Sequence, residues 1–279
     1  QPDRYVIDFR KQDIFEAQKY KELYKVIEKE VLPEKQEKAD KEKIKNEEIL
    51  EKNPKAKVNH DHEMALKTWW KMFRPRGELL DIFETISRYI ACSRVTTRPI
   101  FEFISTQIHP NDASQVFPLE DDYSFGILSS SIHWEWFNAR CSTLKGDPRY
   151  TSDTVFDSFP WPQKPTEKQI AEIAKHAVEL RQKRKEIMKK NKFCLRDIYK
   201  TMETTPNNPV SEIQAELDNA VRDAYGMSPE DDILEFILKL NKKCHDREVA
   251  GKEITPPGLP KSVKDPQKYI SQDCVKMEE

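Results

Sequence analysis

Apolar residues fall along this chain in blocks of different period, and the blocks predict its elements. Residues 4–9, Arg-Tyr-Val-Ile-Asp-Phe, are a short β-branched and aromatic run that predicts a buried strand. Residues 13–52 are rich in Glu, Lys, Ala and Leu, which lose little side-chain entropy in a helix. Their apolar stripe is sparse: Ile14, Ala17, Leu23, Tyr24, Ile27 and Val31, interrupted at Pro33 and thinner beyond it, which predicts a solvated helical arm or insertion. Leu79, Ile82, Phe83, Ile86 and Ile90 recur at helical spacing and predict a helix. Residues 94–104 turn β-branched and aromatic, predicting a strand or hairpin, and Val116 to Leu119 predicts a short strand. Tyr123 to Leu128 reads as a strand running into Ser129-Ser130-Ser131, with the serines capping a helix over about 132–141. Residues 142–152 read as a loop punctuated by Gly146 and Pro148. The run Phe159-Pro160-Trp161-Pro162 then fixes an extended path, with Trp161 pinning the chain to the core.

The remaining third predicts helices. Thr166-x-x-Gln169 is a capping box opening a helix to about Lys190, and Ser211-x-x-Gln214 is a second. Gly226 stops the helix after the second box, and Ser228-Pro229 is expected to start another with Pro at its first position. From Gly251 onward an extended, Pro-rich tail is expected on the surface.

Charge changes this picture more than composition does. With 37% apolar and 34% charged residues, one compact core using the whole chain is not expected. Residues 11–57 hold 13 Lys against 12 Asp or Glu, so phosphate attraction there nearly cancels. Residues 58–162 are net −4, residues 163–200 net +7 and residues 201–279 net −6. A net charge of −2 therefore hides a local basic block of the kind that attracts polyanions.

Several classes of chemistry lack their motifs. The five cysteines are scattered with no Cys-x-x-Cys pair, which is the pattern of free thiols in a cytoplasmic protein. There is no Gly-rich phosphate loop, no metal-binding His pair and no apolar run of 18 residues. No metal site is expected. The start Gln1-Pro2-Asp3-Arg4 lacks an initiator Met and suggests a piece of a longer protein. Candidate binding chemistry lies in three places. Lys145, Asp147, Arg149 and Ser152 belong to the 142–152 loop. There Lys and Arg suit guanine O6 and N7 and Asp suits cytosine N4, although a solvated turn uses the same residues. Ser129 and Ser130 at a helix N-terminus offer a phosphate seat or simply a cap. Arg181, Lys183, Arg184, Lys185, Lys189 and Lys190 form the basic half of the first C-terminal helix, with Arg184, Lys185, Lys189 and Lys190 the candidate phosphate contacts.

Tyr123-Ser124-Phe125-Gly126-Ile127-Leu128-Ser129-Ser130-Ser131-Ile132-His133, then Arg149-Tyr150-Thr151 and Phe159-Pro160-Trp161-Pro162, resemble a known family. It is that of large adenine-specific DNA methyltransferases of the single-chain restriction–modification type, including MmeI-like enzymes. Residues 4–9 resemble the end of their methyltransferase domain, and Trp69-Trp70 with Arg74-x-Arg76 the entry to their target recognition domain. Leu217-Asp218-x-Ala220-Val221-x-x-Ala224-Tyr225-Gly226 and Pro257-Gly258-Leu259-Pro260 resemble their helical C-terminal region. The resemblance implies an α+β fold: a small mixed α/β recognition domain with a long charged N-terminal helical arm and a helical C-terminal region. The implied segments are 1–10 ending an upstream domain, a charged arm over 11–58, a recognition domain over 59–162, a basic helix over 163–200, and a helical hairpin with tail over 201–279. It implies double-stranded DNA as partner, with Lys145, Asp147, Arg149 and Ser152 reading bases. Arg74, Arg76, Arg94 and Arg98 would join Ser129, Ser130 and the basic helix on the DNA backbone. No cofactor is expected in these residues. S-adenosylmethionine would bind in the upstream methyltransferase domain of the same parent chain, because the Gly-rich cofactor motif and the Asn-Pro-Pro-aromatic motif are missing here. An alternative is a protein-interaction module of a phage-defence complex that does not touch DNA.

Overall fold

The computed structural model describes residues 4–74, 76–144, 146–205 and 208–277. It is an α+β protein whose chain divides into two compact units, with the boundary between Ile82 and Phe83.

The first unit holds α1 (Ile14–Gln18), α2 (Lys21–Glu30), α3 (Leu32–Lys52), α4 (Asp61–Lys67) and most of α5 (Gly77–Phe83). Pro33 does not break a helix. It sits in the first turn of α3, where its missing N–H is no loss. Residues 4–9 form no strand: Tyr5 is almost fully exposed, and only Phe9 is buried. Phe9, Ala17, Tyr24 and Ile27 instead make a small core with Trp69 and Trp70 packed against it. The charged arm is thus less solvated than its composition predicts. The middle of α3 is also tied down, because the buried Glu42 carboxylate accepts from the His62 and Glu63 backbone amides at the start of α4, both at 3.0 Å.

The second unit opens with an antiparallel sheet of β1 (Arg88–Ser93), β2 (Glu102–Ser105) and β3 (Ser114–Phe117), ordered β2-β1-β3. The helix expected through Ile90 ends early, at Phe83, and Ile90 lies in the middle of β1. The expected strand 123–128 is a helix, α6 (Asp122–Ser129), with Asp121 Oδ1 accepting from the Ser124 amide at 2.7 Å as its cap. Every residue from Asp122 to Leu128 is buried, so this run has no polar face and no readable period. Ser130 is extended (ψ 158°) and starts α7 (Ser131–Arg140). Beyond β4 (Ser142–Leu144), β5 (Asp147–Arg149) and one π-turn over Ser152–Phe156 come four helices, α8 (Glu167–Asn191), α9 (Leu195–Thr204), α10 (Pro209–Tyr225) and α11 (Ile233–Val249).

The Thr166–Gln169 capping box forms at the start of α8 as expected. The second does not. Asn208 caps α10 with Pro209 behind it, and Asp232, not Ser228-Pro229, starts α11. Residues 271–275 are more than a surface tail. Val275 adds a parallel bridge to Ile104, and its N–H donates to the Phe103 carbonyl at 2.8 Å.

Helix α6 packs against α8 and α10 through Gly126. A Cβ there would lie 2.5 Å from Ile173 Cγ2 and 3.2 Å from both the Ile173 carbonyl and Leu217 Cδ1. Gly126→Ala is expected to lower stability by about 1–3 kcal/mol through overpacking. The check is the midpoint of urea unfolding, and an unchanged midpoint would show slack at this crossing.

Candidate nucleic-acid interface

The stretch expected to be a loop is a β-hairpin. β4 and β5 pair antiparallel in the register Ser142↔Arg149, Thr143↔Pro148 and Leu144↔Asp147. The turn uses Gly146 at φ +94°, a conformation that a Cβ disfavours. Lys145, the first candidate base reader, lies outside the described residues.

The hairpin is joined to the body along one edge. Val95 bridges Arg149, the Thr96 amide donates to the Pro148 carbonyl at 3.0 Å, and the Tyr150 amide donates to the Arg94 carbonyl at 2.7 Å. Tyr150, the next residue, is fully buried. Its ring stacks on Phe137 at 5.7 Å, and its hydroxyl lies 3.0 Å from His133 Nε2. Burial pushes the His133 imidazole down to about 3, so it stays neutral at physiological pH and serves the core, not proton transfer. Trp136 Nε1 donates to the Val155 carbonyl at 3.0 Å and fixes the π-turn that follows. A rigid aromatic base therefore carries a short two-stranded projection.

Side chains alternate along a strand, so Asp147 and Arg149 share one face of β5. Asp147 is exposed. Arg149 is half-buried, and its Nε is enclosed without a hydrogen-bond partner among the described residues. Ser152 is exposed, and its Oγ accepts from Gln115 Nε2 at 3.1 Å. Gln115, which orients that hydroxyl from β3, had no signal in the sequence. The exposed Thr143 and Leu144 on β4 were also missed, although period-2 reading of a hairpin would have found them.

The candidate backbone contacts scatter. Arg98 lies between the Trp134 and Tyr199 rings, 4.5 and 4.7 Å from their centroids, in a cleft shared with Ser129 and Ser130. The structure thus brings three of the expected residues together. The anion place at the start of α7 is already taken, however. The Ser131 amide donates to Asp218 Oδ1 at 2.8 Å, and the buried Ser130 hydroxyl donates to the Ile127 carbonyl at 2.7 Å and accepts from the His133 amide. Burial raises the Asp218 carboxyl, against the lowering effect of those hydrogen bonds. Capping, not phosphate, accounts for Ser130, while Ser129 Oγ is enclosed without a partner among the described residues. Arg94 is half-buried at the end of β1.

Arg184 is a correction. It is 1% exposed, paired with Glu102 at 2.7 Å and donating to the Phe101 carbonyl and the Tyr199 hydroxyl, so no phosphate reaches it. Lys185 pairs with Asp273 at 3.3 Å but keeps half its surface, and Lys189 and Lys190 are exposed in the last turn of α8. Arg74 and Arg76 belong to the first unit. Both are exposed at positive φ, and Arg74 pairs with Asp61. One grouping has metal-ligand character among the described residues: His176, Glu179 and Glu216, with ligand atoms within 4.8 Å of one another. His176 Nδ1 is already engaged there by Glu179 at 2.9 Å. All five cysteines are free, and no described helix is long and apolar enough to cross a membrane.

Comparison with known proteins falls on this same region. The family model of the MmeI target recognition domain matches residues 95–163, bearing out the resemblance over a stretch that runs from the Val95 bridge through the hairpin to the Phe-Pro-Trp-Pro close. No curated protein matches the chain. A solved structure described as the Type IIL restriction-modification enzyme MmeI in complex with DNA is 20% identical, with a TM-score of 0.49, over 68% of this chain. The chain spans a quarter of the length of that protein.

Proposed function

We propose that residues 83–279 read a specific sequence in double-stranded DNA, with the β4–β5 hairpin as the reading element. The observation that carries this is the match of residues 95–163 to a target recognition domain, centred on a hairpin with Asp147 and Arg149 on one face. Arg149 would donate to guanine and Asp147 accept from cytosine, and the exposed lysines at the end of α8 would add sequence-independent attraction. In this reading the parent is an adenine-specific methyltransferase of a restriction–modification or phage-defence system. Its catalytic motifs and its S-adenosylmethionine site belong to an upstream domain, since neither motif occurs in these 279 residues. The duplex would be held so that the upstream domain takes the adenine out of the stack.

The test is selection from a random duplex pool, followed by titration of the enriched site against a scrambled one. The chain is expected to enrich a defined sequence. Arg149→Ala is expected to lose about 1–3 kcal/mol of discrimination, roughly 5- to 150-fold, at one position of that sequence, with thermal stability retained. Absence of duplex retardation at any salt concentration would sink the proposal in favour of a protein-interaction module.

A further inference from the structure

The residue count of 201–279 is acidic, yet one face of α11 is not. Lys239, Lys242, Lys243, Asp246, Arg247 and Ala250 follow i, i+3, i+4, i+7, i+8 and i+11 spacing and, with Lys252, line a hollow of about 370 Å³ open to solvent. The hollow itself is lined by five cations and one carboxylate. The opposite face of the helix is committed to the fold: Ile237 and Cys244 are buried, and Asn241 Nδ2 donates to the Ser158 carbonyl at 2.6 Å. The helix packs on α7, the helix that leads straight into the hairpin.

A bland explanation would be a solvated, charge-balanced face or cations soothing the helix dipole. Lys239 and Lys242 do have such partners, Glu235 and Asp246 one turn away. Lys243 and Lys252 have no carboxylate partner among the described residues. Lys239, Lys242 and Lys243 also sit in the middle of the helix, where the dipole has little effect. Arg247 is used to shape the hollow. Its Nη2 and Nε hold the Glu253 carbonyl at 2.7 and 3.3 Å, which folds the chain back after Gly251 (φ +67°) and brings Lys252 to the rim. A cluster of cations around a shallow hollow, with one wall made by a returning chain, offers several charged donors to a row of phosphates.

We propose that this face of α11 is a second contact with the DNA backbone, supplying sequence-independent affinity beside the hairpin. It rests on the reading of residues 83–279 as a DNA recognition unit. Net-charge counting places that affinity on α8, but both α8 arginines are buried, and the α11 face adds exposed cations to the lysines that α8 keeps.

The experiment uses the 279-residue chain and a random-sequence duplex, with affinity measured across a salt series. The double variant Lys243→Glu/Lys252→Glu changes two exposed positions, and circular dichroism with thermal melting confirms its fold. The salt slope is expected to fall by about 2, with weaker binding at every salt concentration and the same preferred sequence. The milder pair Lys243→Ala/Lys252→Ala is expected to move the slope in the same direction. An unchanged slope and affinity in both variants, with the unsubstituted 279-residue chain binding duplex, overturns the α11 contact and leaves the hairpin reading intact. If the unsubstituted 279-residue chain binds no duplex, both readings fall together.

Discussion

Replacing Asp122 with Ala is expected to destabilise the second unit by about 3–5 kcal/mol, the cost of leaving buried charge uncompensated. The Asp122 carboxylate sits at the first turn of α6 and serves two buried arginines. Its Oδ1 lies 3.0 Å from Arg88 Nη2 and 2.5 Å from Arg181 Nη2, and Ser271 donates from its N–H to Oδ2 and from its Oγ to Oδ1, both at 2.9 Å. Both guanidiniums are about 1% exposed and lie over aromatic rings, Arg88 over Phe103 and Arg181 over Phe125. Asp273 completes the group, accepting from Arg181 Nε at 3.0 Å and, through its carbonyl, from Arg88 Nη1 at 2.7 Å. Urea unfolding followed by tryptophan fluorescence measures the loss, and a change under 1 kcal/mol would mean the arginines find other partners. Asp273 adds a pH signature. Burial alone would raise its carboxyl, but the hydrogen bond and charge of Arg181, with Ser271 and Lys185, hold it far below the usual carboxylate range. The depressed value stabilises the fold above the ordinary carboxylate pKa, and the contribution is lost as pH falls toward the folded value. The stability gap between the unsubstituted chain and Asp273→Asn should therefore narrow on acidification below about pH 4.

The second large effect is expected at Trp161, where Ala should cost about 3–5 kcal/mol. This residue is 1% exposed between two prolines, with Tyr123, Phe156 and Phe159 ring centroids 6.2, 6.4 and 6.5 Å away. It closes the aromatic layer that also holds Phe159 against His133 and Trp136. Its Nε1 has no hydrogen-bond partner among the described residues, so its contribution is packing alone. Trp161→Phe should accordingly keep more than half of the stability lost in the alanine variant. Differential scanning calorimetry of the two variants checks the ratio, and equal losses would point to a hydrogen bond after all.

What could be read in the sequence depended on whether the deciding partner was local. The capping box at Thr166 and the stop at Gly226 are settled by neighbouring residues, the anchoring role of Trp161 is signalled by the prolines on either side of it, and all three hold. Residues 123–128 are decided by burial on all sides, which erases periodicity, so a helix looked like a strand. Residues 4–9 had strand composition but find no ladder among the described residues. Arg181 and Arg184 look like a basic surface because their partners Asp122, Asp273 and Glu102 are about 60 to 90 positions away. The candidate site was legible as a stretch, through Gly146, Pro148 and the charges beside them. Its hairpin form was not, because β4 and β5 are only three residues each and depend on Val95 for their edge.

The buried arginine group also bears on how the protein is made. Arg88, Asp122, Arg181 and Asp273 are separated by up to 185 residues, and the bridge from Val275 to Ile104 spans a similar distance. Contacts of such long range must wait for the chain to be synthesised. The sheet and α6 leave the ribosome early with Arg88 and Asp122, and their buried group stays incomplete until Arg181 on α8 and then Asp273 follow. The second unit is therefore expected to acquire protease resistance in one late step during translation, after residues 271–275 have emerged.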